Sequence, residues 1–156
     1  MKTSSLARAL RAHVERLAAK PRPPGTEEHR QARTYIGQQL EEAGFSVTAI
    51  PREEAGFRCV NLVSDALPDD RSLPLVVLGA HYDSVIESPG ADDNASAVAS
   101  LLEVARRIRP QLDRPLHARL QLVAYDLEEY GLVGSSLHSG ELERSRVAVR
   151  GIKHAS

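Results

Sequence analysis

The feature that most restricts the fold of this chain is an uninterrupted apolar run at residues 73–80, which ends at His81. A strand whose residues are all apolar, without alternation, is typical of a sheet that is covered on both faces. Helices must then lie on each side of the strand. The run therefore predicts a central strand in a layered fold.

The rest of the chain supplies helices and further strands around this run. Apolar residues recur with helical spacing in three segments, at residues 4–20, 27–43 and from 93–95 to 108, and a short helix is predicted at 130–137. Strand patterns occur at residues 45–50, 57–63, 118–125 and 147–152. A charged segment at 141–146 precedes the last of them. Strands that alternate with helices predict an α/β sheet.

Length and charge limit the class of protein. A chain of 156 residues is typical of a single domain. Its 20 Lys and Arg residues balance 21 Asp and Glu residues, so no excess basic charge indicates binding to nucleic acid or to an anionic membrane. The lone cysteine, Cys59, excludes an intramolecular disulfide and is predicted to be a buried thiol.

The N-terminal segment does not have the pattern of a signal peptide. Charged residues at positions 8, 11, 15 and 16 interrupt any apolar stretch there. No run approaches the length of a membrane span. We therefore expect a cytoplasmic protein without a membrane segment, with secretion left open if the natural N-terminus lies upstream.

Acidic residues concentrate in two segments that contain no Lys or Arg. Residues 81–100 contain four acids and residues 120–143 contain five, and both segments begin near the end of an apolar strand. Ligands of open α/β sheets bind outside the carboxyl ends of the strands. Crowded carboxylates repel each other unless a cation is present. The pattern predicts a divalent metal site at this edge.

The spacing of His81 and Asp83 suits a metal-binding imidazole. In an extended chain, residues two apart face the same side, so Asp83 can accept a hydrogen bond from the ring nitrogen that does not bind metal. Asp92 and Asp93 follow a turn, and one of them could bridge two ions. Glu128 and Glu129 follow the next strand and could serve as a ligand and a general base.

Three segments together resemble the M28 family of zinc aminopeptidases. They are Gly79-Ala80-His81-Tyr82-Asp83-Ser84, Pro89-Gly90-Ala91-Asp92-Asp93-Asn94-Ala95-Ser96 and Asp126-Leu127-Glu128-Glu129-Tyr130-Gly131-Leu132-Val133-Gly134-Ser135. The segment from Arg22 to Thr26, residues 44–45 and residues 61–63 resemble the part that precedes these motifs in such peptidases. The resemblance implies a three-layer α/β/α sandwich around a mixed, mostly parallel sheet.

The resemblance also implies roles for five residues. His81 would bind one zinc ion and Asp83 would orient it. Asp93 would bridge two zinc ions, Glu129 would bind the second, and Glu128 would be the general base. The implied reaction is hydrolysis of an N-terminal peptide bond, with a peptide or aminoacyl compound as substrate.

The family pattern requires two further ligands, an acidic residue on a later strand and a histidine near the end of the domain. The chain ends at residue 156 without them, so we expect residues 1–156 to be a single partial peptidase domain, incomplete at its C-terminus. Two protein ligands would remain for each ion, whereas catalytic zinc normally has three. Four other histidines are predicted to have surface or supporting positions: His13 and His29 on predicted helices, His117 at the entrance of a strand, and His138 beyond a short helix.

Three functional hypotheses follow. The first is a zinc aminopeptidase in truncated form. The second is a catalytically inactive remnant that acts as a binding or assembly module, in which an unpaired sheet edge would favour self-association. The third is a related zinc amidohydrolase or cyclase with the same ligands.

Overall fold

The computed structural model describes residues 4–54 and 56–155, with side chains as far as Gly151. Nine main elements follow one another along these residues. They are α1 (Ser5–Leu17), α2 (Glu27–Glu42), β1 (Val47–Glu54), β2 (Phe57–Ser64), β3 (Leu75–His81), α3 (Ser96–Ile108), β4 (Arg119–Tyr125), α4 (Val133–Arg144) and β5 (Val149–Ala155).

Local sequence signals fix the ends of the first two helices. The Ser4 hydroxyl accepts a hydrogen bond from the amide of Ala7, and the Thr26 hydroxyl accepts one from the amide of His29. These side chains satisfy amides that have no partner within the helix. Gly44, just after α2, has φ +92°, a left-handed conformation that glycine adopts without steric cost. The helix predicted at residues 27–43 is confirmed, with Glu42 as its last residue.

The five strands form one mixed sheet in the order β1-β2-β4-β3-β5. The pairings β1–β2 and β2–β4 are antiparallel, whereas β3 pairs in parallel with both β4 and β5. The predicted mixed sheet is confirmed, with its parallel half built around the apolar strand. Because β3 and β4 are parallel neighbours, their carboxyl ends lie side by side.

Helices cover both faces of the sheet. On one face, side chains from α1, α2 and α3 pack with Leu62, Leu122 and Ala124. On the other face, Leu142 of α4 packs near Val63 and Val123. Adjacent residues of one strand, such as Leu122 and Val123, therefore pack into apolar clusters on opposite faces of the sheet, as expected of a strand covered on both sides. The three-layer α/β/α sandwich is confirmed.

Among the elements that differ in extent from the sequence prediction are α4, β1 and β5. Helix α4 begins at Val133 and continues through the charged segment to Arg144, where the sequence indicated a short helix and then a separate segment. Strand β1 extends to Glu54 because it pairs with β2 along its whole length, from Val47 with Ser64 to Glu54 with Phe57. Strand β5 begins at Val149, two residues later than predicted.

No helix in the described residues has the length and apolar character required to cross a membrane. Strands β1 and β5 are the two edges of the sheet within the same residues. Self-association through one of these edges stays a prediction.

Gly134 is required where α4 packs against the end of β4. A Cβ atom at this position would overlap the carbonyl oxygen of Asp126 and the side-chain oxygen of Asn61. Replacing Gly134 with Ala is therefore expected to lower the free energy of unfolding by about 1–3 kcal/mol, as other overpacking substitutions do. Urea denaturation measures this change.

Gly140 provides a control in the same helix. Its added Cβ would meet only the end of the flexible Arg144 side chain. Gly140→Ala should therefore leave the free energy of unfolding unchanged or raise it by about 0.5–1 kcal/mol, because alanine favours the helix. Equal effects of the two substitutions would contradict the assignment of close packing to Gly134.

Candidate metal centre

The candidate site lies at the carboxyl ends of β3 and β4. His81 is the last residue of β3, pairs in register with Tyr125 of β4, and is fully buried. Residues 82–95 follow β3 and residues 126–132 follow β4. The two acidic segments predicted from the sequence therefore begin at neighbouring points of one sheet edge, as expected for parallel strands.

Asp83 joins the two loops at this edge. Its Oδ1 atom accepts a hydrogen bond from the amide of Glu128, and its Oδ2 atom accepts one from the amide of Glu129, both at 3.1 Å. The Nδ1 atom of His81 lies 3.4 Å from Oδ1. Asp83 is fully buried. The carboxylate thus faces the imidazole on one side and fixes the backbone of the glutamate pair on the other.

Asp93 approaches the opposite nitrogen of the same imidazole. It lies in the irregular turn Ala91–Ala95, where its φ of −110° and ψ of 91° depart from helical values. Its Oδ1 atom lies 2.9 Å from Nε2 of His81, and its side chain is 67% exposed. The structure brings Asp93 to the imidazole, whereas Asp92 is exposed and its carbonyl accepts the Ser96 hydroxyl at 2.8 Å. Asp93 therefore connects the buried imidazole with solvent.

The glutamate pair completes the group. The Oε2 atom of Glu128 lies 3.7 Å from Nε2 of His81. Burial raises the pKa of Glu129, and the negative charges of Asp93, Asp83 and Glu128 raise it further against the opposing effect of His81. A carboxyl whose pKa is raised by its neighbours lies among like charges. Both glutamates therefore belong to the same electrostatic cluster.

The imidazole of His81 is surrounded by negative charge. Burial disfavours its charged form, but Asp83, Glu128 and Asp93 together raise the pKa of His81 above its ordinary value. A cation is therefore favoured at the nitrogen that faces Asp93 and Glu128, whether it is a proton or a metal ion.

A second buried group supports the loop after β4. The carboxylate of Asp126 accepts hydrogen bonds from Nε2 of His29 and the amide of Val60, both at 2.8 Å, and from the amide of Leu127 at 2.9 Å. His29 also stacks on the ring of Tyr82, with 4.9 Å between ring centroids and an interplanar angle of 18°. This network links α2 to the loops that follow β3 and β4.

Of the histidines predicted to have surface or supporting positions, three are buried. They are His13, His29 and His138. His138 lies inside α4 and its Nδ1 atom is 3.1 Å from the Tyr125 hydroxyl. These three residues have supporting positions and not surface ones, because the helices that carry them pack these positions inward. The support that His29 gives to the Asp126 loop has no local signal in the sequence.

The donors at His81 fit zinc, but only as part of a site. Zinc in proteins binds imidazole nitrogens and carboxylate oxygens, and here Nε2 of His81 faces a carboxylate oxygen of Asp93. The carboxylate of Asp83, on the other side of the imidazole, is the kind of partner that orients a zinc-binding histidine. Among the described side chains, no three His, Cys, Asp or Glu residues are grouped so that they could hold a metal ion. The described residues therefore offer fewer ligands than the three that catalytic zinc normally has.

The family comparison agrees with the motifs at this edge. The model of peptidase family M28 matches residues 61–150, which contain His81, Asp93 and the glutamate pair. The chain is 39% identical over 123 residues to the uncharacterised protein YfbL of Escherichia coli, covering 70% of this chain and 36% of that protein. It is also 39% identical over 93 residues to aminopeptidase YwaD of Bacillus subtilis, covering 56% of this chain and 20% of that protein.

Solved structures share the fold. The LapA aminopeptidase of Legionella pneumophila matches 94% of this chain with a TM-score of 0.81 and 20% identity. A glutaminyl cyclase of Porphyromonas gingivalis matches 79% of the chain with a TM-score of 0.67 and 26% identity. The chain covers 42% and 46% of these two structures. It therefore spans less than half the length of each protein compared with it here.

Proposed function

The chain belongs to peptidase family M28, and we propose that it carries part of the active site of a zinc-dependent aminopeptidase that hydrolyses N-terminal peptide bonds. The observation that carries this proposal is that Nε2 of His81 lies 2.9 Å from Oδ1 of Asp93 and 3.7 Å from Oε2 of Glu128. The 39% identity to an aminopeptidase of Bacillus subtilis supports the reaction class.

In this proposal, His81 and Asp93 would hold one zinc ion, and Asp93 and Glu129 would hold a second. Asp83 lies 3.4 Å from Nδ1 of His81, where it would keep Nε2 directed toward the metal. The remaining ligands would come from outside the described side chains. Residues 1–156 then form part of one peptidase domain.

Glu128 is the proposed general base. Zinc, when bound, would lower the pKa of a water molecule and stabilise negative charge on the substrate carbonyl oxygen. The side chain of Glu128 is 19% exposed and its Oε2 atom lies 3.7 Å from Nε2 of His81, so its carboxylate can accept a proton from a water molecule near that nitrogen. Its amide is fixed by Asp83 at 3.1 Å, which holds the base at the rim of the site.

A cyclase is the second candidate. The likeness to a glutaminyl cyclase at 26% identity and a TM-score of 0.67 favours it over other zinc amidohydrolases. The two activities differ in substrate, since the cyclase would act on a glutaminyl compound and the aminopeptidase on a peptide or aminoacyl compound. The same residues would serve both reactions.

Removal of the imidazole provides the test of the site. We expect His81→Ala to weaken zinc binding by at least about tenfold, because loss of a ligand costs no less than loss of an outer partner, which is about 10–100-fold. Competition with a chromophoric chelator measures the affinity. His117→Ala is the matched control, since His117 is exposed and lies at the far end of β4. Equal affinities of the two variants would contradict the proposed centre.

Activity assays at saturating zinc separate the candidates. Hydrolysis of aminoacyl anilides supports the aminopeptidase, and cyclisation of a glutaminyl peptide supports the cyclase. Zinc binding that depends on His81 without either activity would favour the hypothesis of an inactive binding or assembly module for this chain.

A further inference from the structure

Arg22 lies between α1 and α2 and is buried, with 2% of its surface exposed. Its guanidinium donates hydrogen bonds only to backbone carbonyl oxygens in the contacts that the structure describes. These contacts are Nε to Tyr82 at 3.0 Å, Nη1 to Leu17 at 2.8 Å, Nη1 to Pro89, and Nη2 to Gly90 at 3.2 Å. One side chain therefore connects the end of α1, the residue after His81 and the pair Pro89–Gly90.

Three of these positions flank the candidate site. Tyr82 directly follows His81, and Pro89 and Gly90 precede the turn that carries Asp93. The carbonyl of Gly90 also accepts a hydrogen bond from the amide of Ala95 at 3.0 Å, which closes that turn. Arg22 thus bonds to the backbone on both sides of the His81–Asp93 contact.

The backbone of Arg22 strengthens the same connection. Its amide donates to the Ser84 hydroxyl at 2.9 Å, and its carbonyl accepts from the amide of Ser84 at 3.3 Å. The guanidinium charge also interacts with the buried carboxylate of Asp83: burial lowers the pKa of Arg22, and Asp83 opposes this effect. A charged side chain without exposure is rare unless such partners are present.

We propose that Arg22 is a positioning residue that holds the loop after His81 and the turn before Asp93 together, so that imidazole and carboxylate meet in the geometry that receives a metal ion. The effect on metal binding rests on the proposed function, whereas the positioning of the two backbone segments does not. Arg22 does not contact the metal donors through its side chain in the described contacts. It acts through the backbone of Tyr82, Pro89 and Gly90.

The planar fork of arginine is essential to this role. Arginine offers five donors in fixed directions, whereas lysine concentrates three donors at one nitrogen. A lysine at position 22 keeps the positive charge but cannot reach the carbonyls of Tyr82 and Gly90 at the same time. Arg22→Lys therefore separates the effect of the fork from the effect of the charge.

Gly90→Ala perturbs the same turn independently. Gly90 has φ +59°, and an added Cβ would overlap the carbonyl oxygen of Asp93 and lie 3.1 Å from Nη2 of Arg22. The turn would have to shift, although Arg22 itself is intact. Leu40→Ala is the control for a loss of stability alone, because Leu40 is fully buried in the core under α2 and is not part of the site.

The first measurement is amide hydrogen exchange of the metal-free protein. Arg22→Lys and Gly90→Ala should each speed exchange of the Ala95 amide at least about tenfold relative to amides in the middle of α3, since a local opening raises exchange only where bonds are lost. Leu40→Ala should instead speed exchange of core amides together. Uniform acceleration in Arg22→Lys, as in Leu40→Ala, would overturn the proposal.

The second measurement is titration with Co²⁺, followed by its visible absorption. Arg22→Lys and Gly90→Ala should weaken binding by about 10–100-fold, the range found for outer partners of metal ligands. Leu40→Ala should bind as the wild-type chain does at a temperature where it is folded. Wild-type affinity in Arg22→Lys would overturn the positioning role.

The two readouts distinguish failure of this inference from failure of the proposed function. If His81→Ala leaves Co²⁺ affinity unchanged, the metal site fails and the role of Arg22 toward it fails too. If His81→Ala abolishes binding but Arg22→Lys does not weaken it, only the inference about Arg22 fails. Selective exchange at Ala95 together with weakened binding supports both.

Discussion

Replacing Glu128 with Gln is expected to lower kcat for aminoacyl anilide hydrolysis by about 10²–10⁴-fold, the contribution of a positioned general base. The amide of Gln cannot accept a proton from water at neutral pH, although it has almost the same size as the carboxylate. The backbone contact of residue 128 with Asp83 does not depend on its side chain. The loop should therefore keep its position, and the loss should be one of chemistry.

Steady-state kinetics with zinc in excess measure this effect. Glu87→Gln makes the same chemical change at an exposed position in the loop after β3, and should leave kcat unchanged. Zinc affinity of Glu128→Gln should stay within a factor of a few of that of the unmodified chain. A Glu128→Gln protein that retains full activity would remove Glu128 from the role of base.

The second large effect is expected for stability. Asp126 is fully buried and its carboxylate accepts three hydrogen bonds, from the His29 imidazole and the amides of Val60 and Leu127. Asp126→Ala leaves all three donors buried without a partner. A buried donor left without a partner costs about 1–3 kcal/mol, so the loss of all three contacts should cost at least about 3 kcal/mol. This is a large part of the 5–15 kcal/mol by which domains are usually stable.

Urea denaturation at neutral pH measures the change in the free energy of unfolding. Asp113→Ala serves as the control, because Asp113 is exposed and its ion pair with Arg109 lies on the surface, where such pairs contribute about 0–1 kcal/mol. A loss below 1 kcal/mol in Asp126→Ala, about the net value of one ordinary hydrogen bond, would show that water replaces the three contacts. The network would then not be the support assigned to it here.

The sequence predicted the elements whose signals are local. Helices α1 and α2 and the apolar strand β3 depend on residues within a few positions of one another. Helix α4 was predicted incorrectly beyond residue 137 because its inward positions include Gly134 and His138, which do not form an apolar stripe. The packing of Gly134 against Asp126 depends on the relative positions of α4 and the end of β4, which no local sequence pattern specifies.

The candidate site could be predicted only as far as local sequence patterns reach. The convergence of His81, Asp93 and Glu128 follows from acidic segments at the ends of two apolar strands, because parallel neighbours bring such ends together. The supporting contacts of Arg22 and His29 join residues 60 or more positions apart, and no spacing rule connects them. The sequence singled out the segment from Arg22 to Thr26 only by its resemblance to the part that precedes the motifs in M28 peptidases.

The parallel alignment of β5 with β3 determines where the polypeptide arrives after its last strand. Ala155 lies opposite Ala80, one residue before His81, and neighbouring strands are about 4.8 Å apart. The exit of β5 and the imidazole therefore share one rim of the molecule. A donor carried by a short connection from this exit, or by another polypeptide docked at the open edge of β5, would enter the site from the side next to His81 and opposite β4.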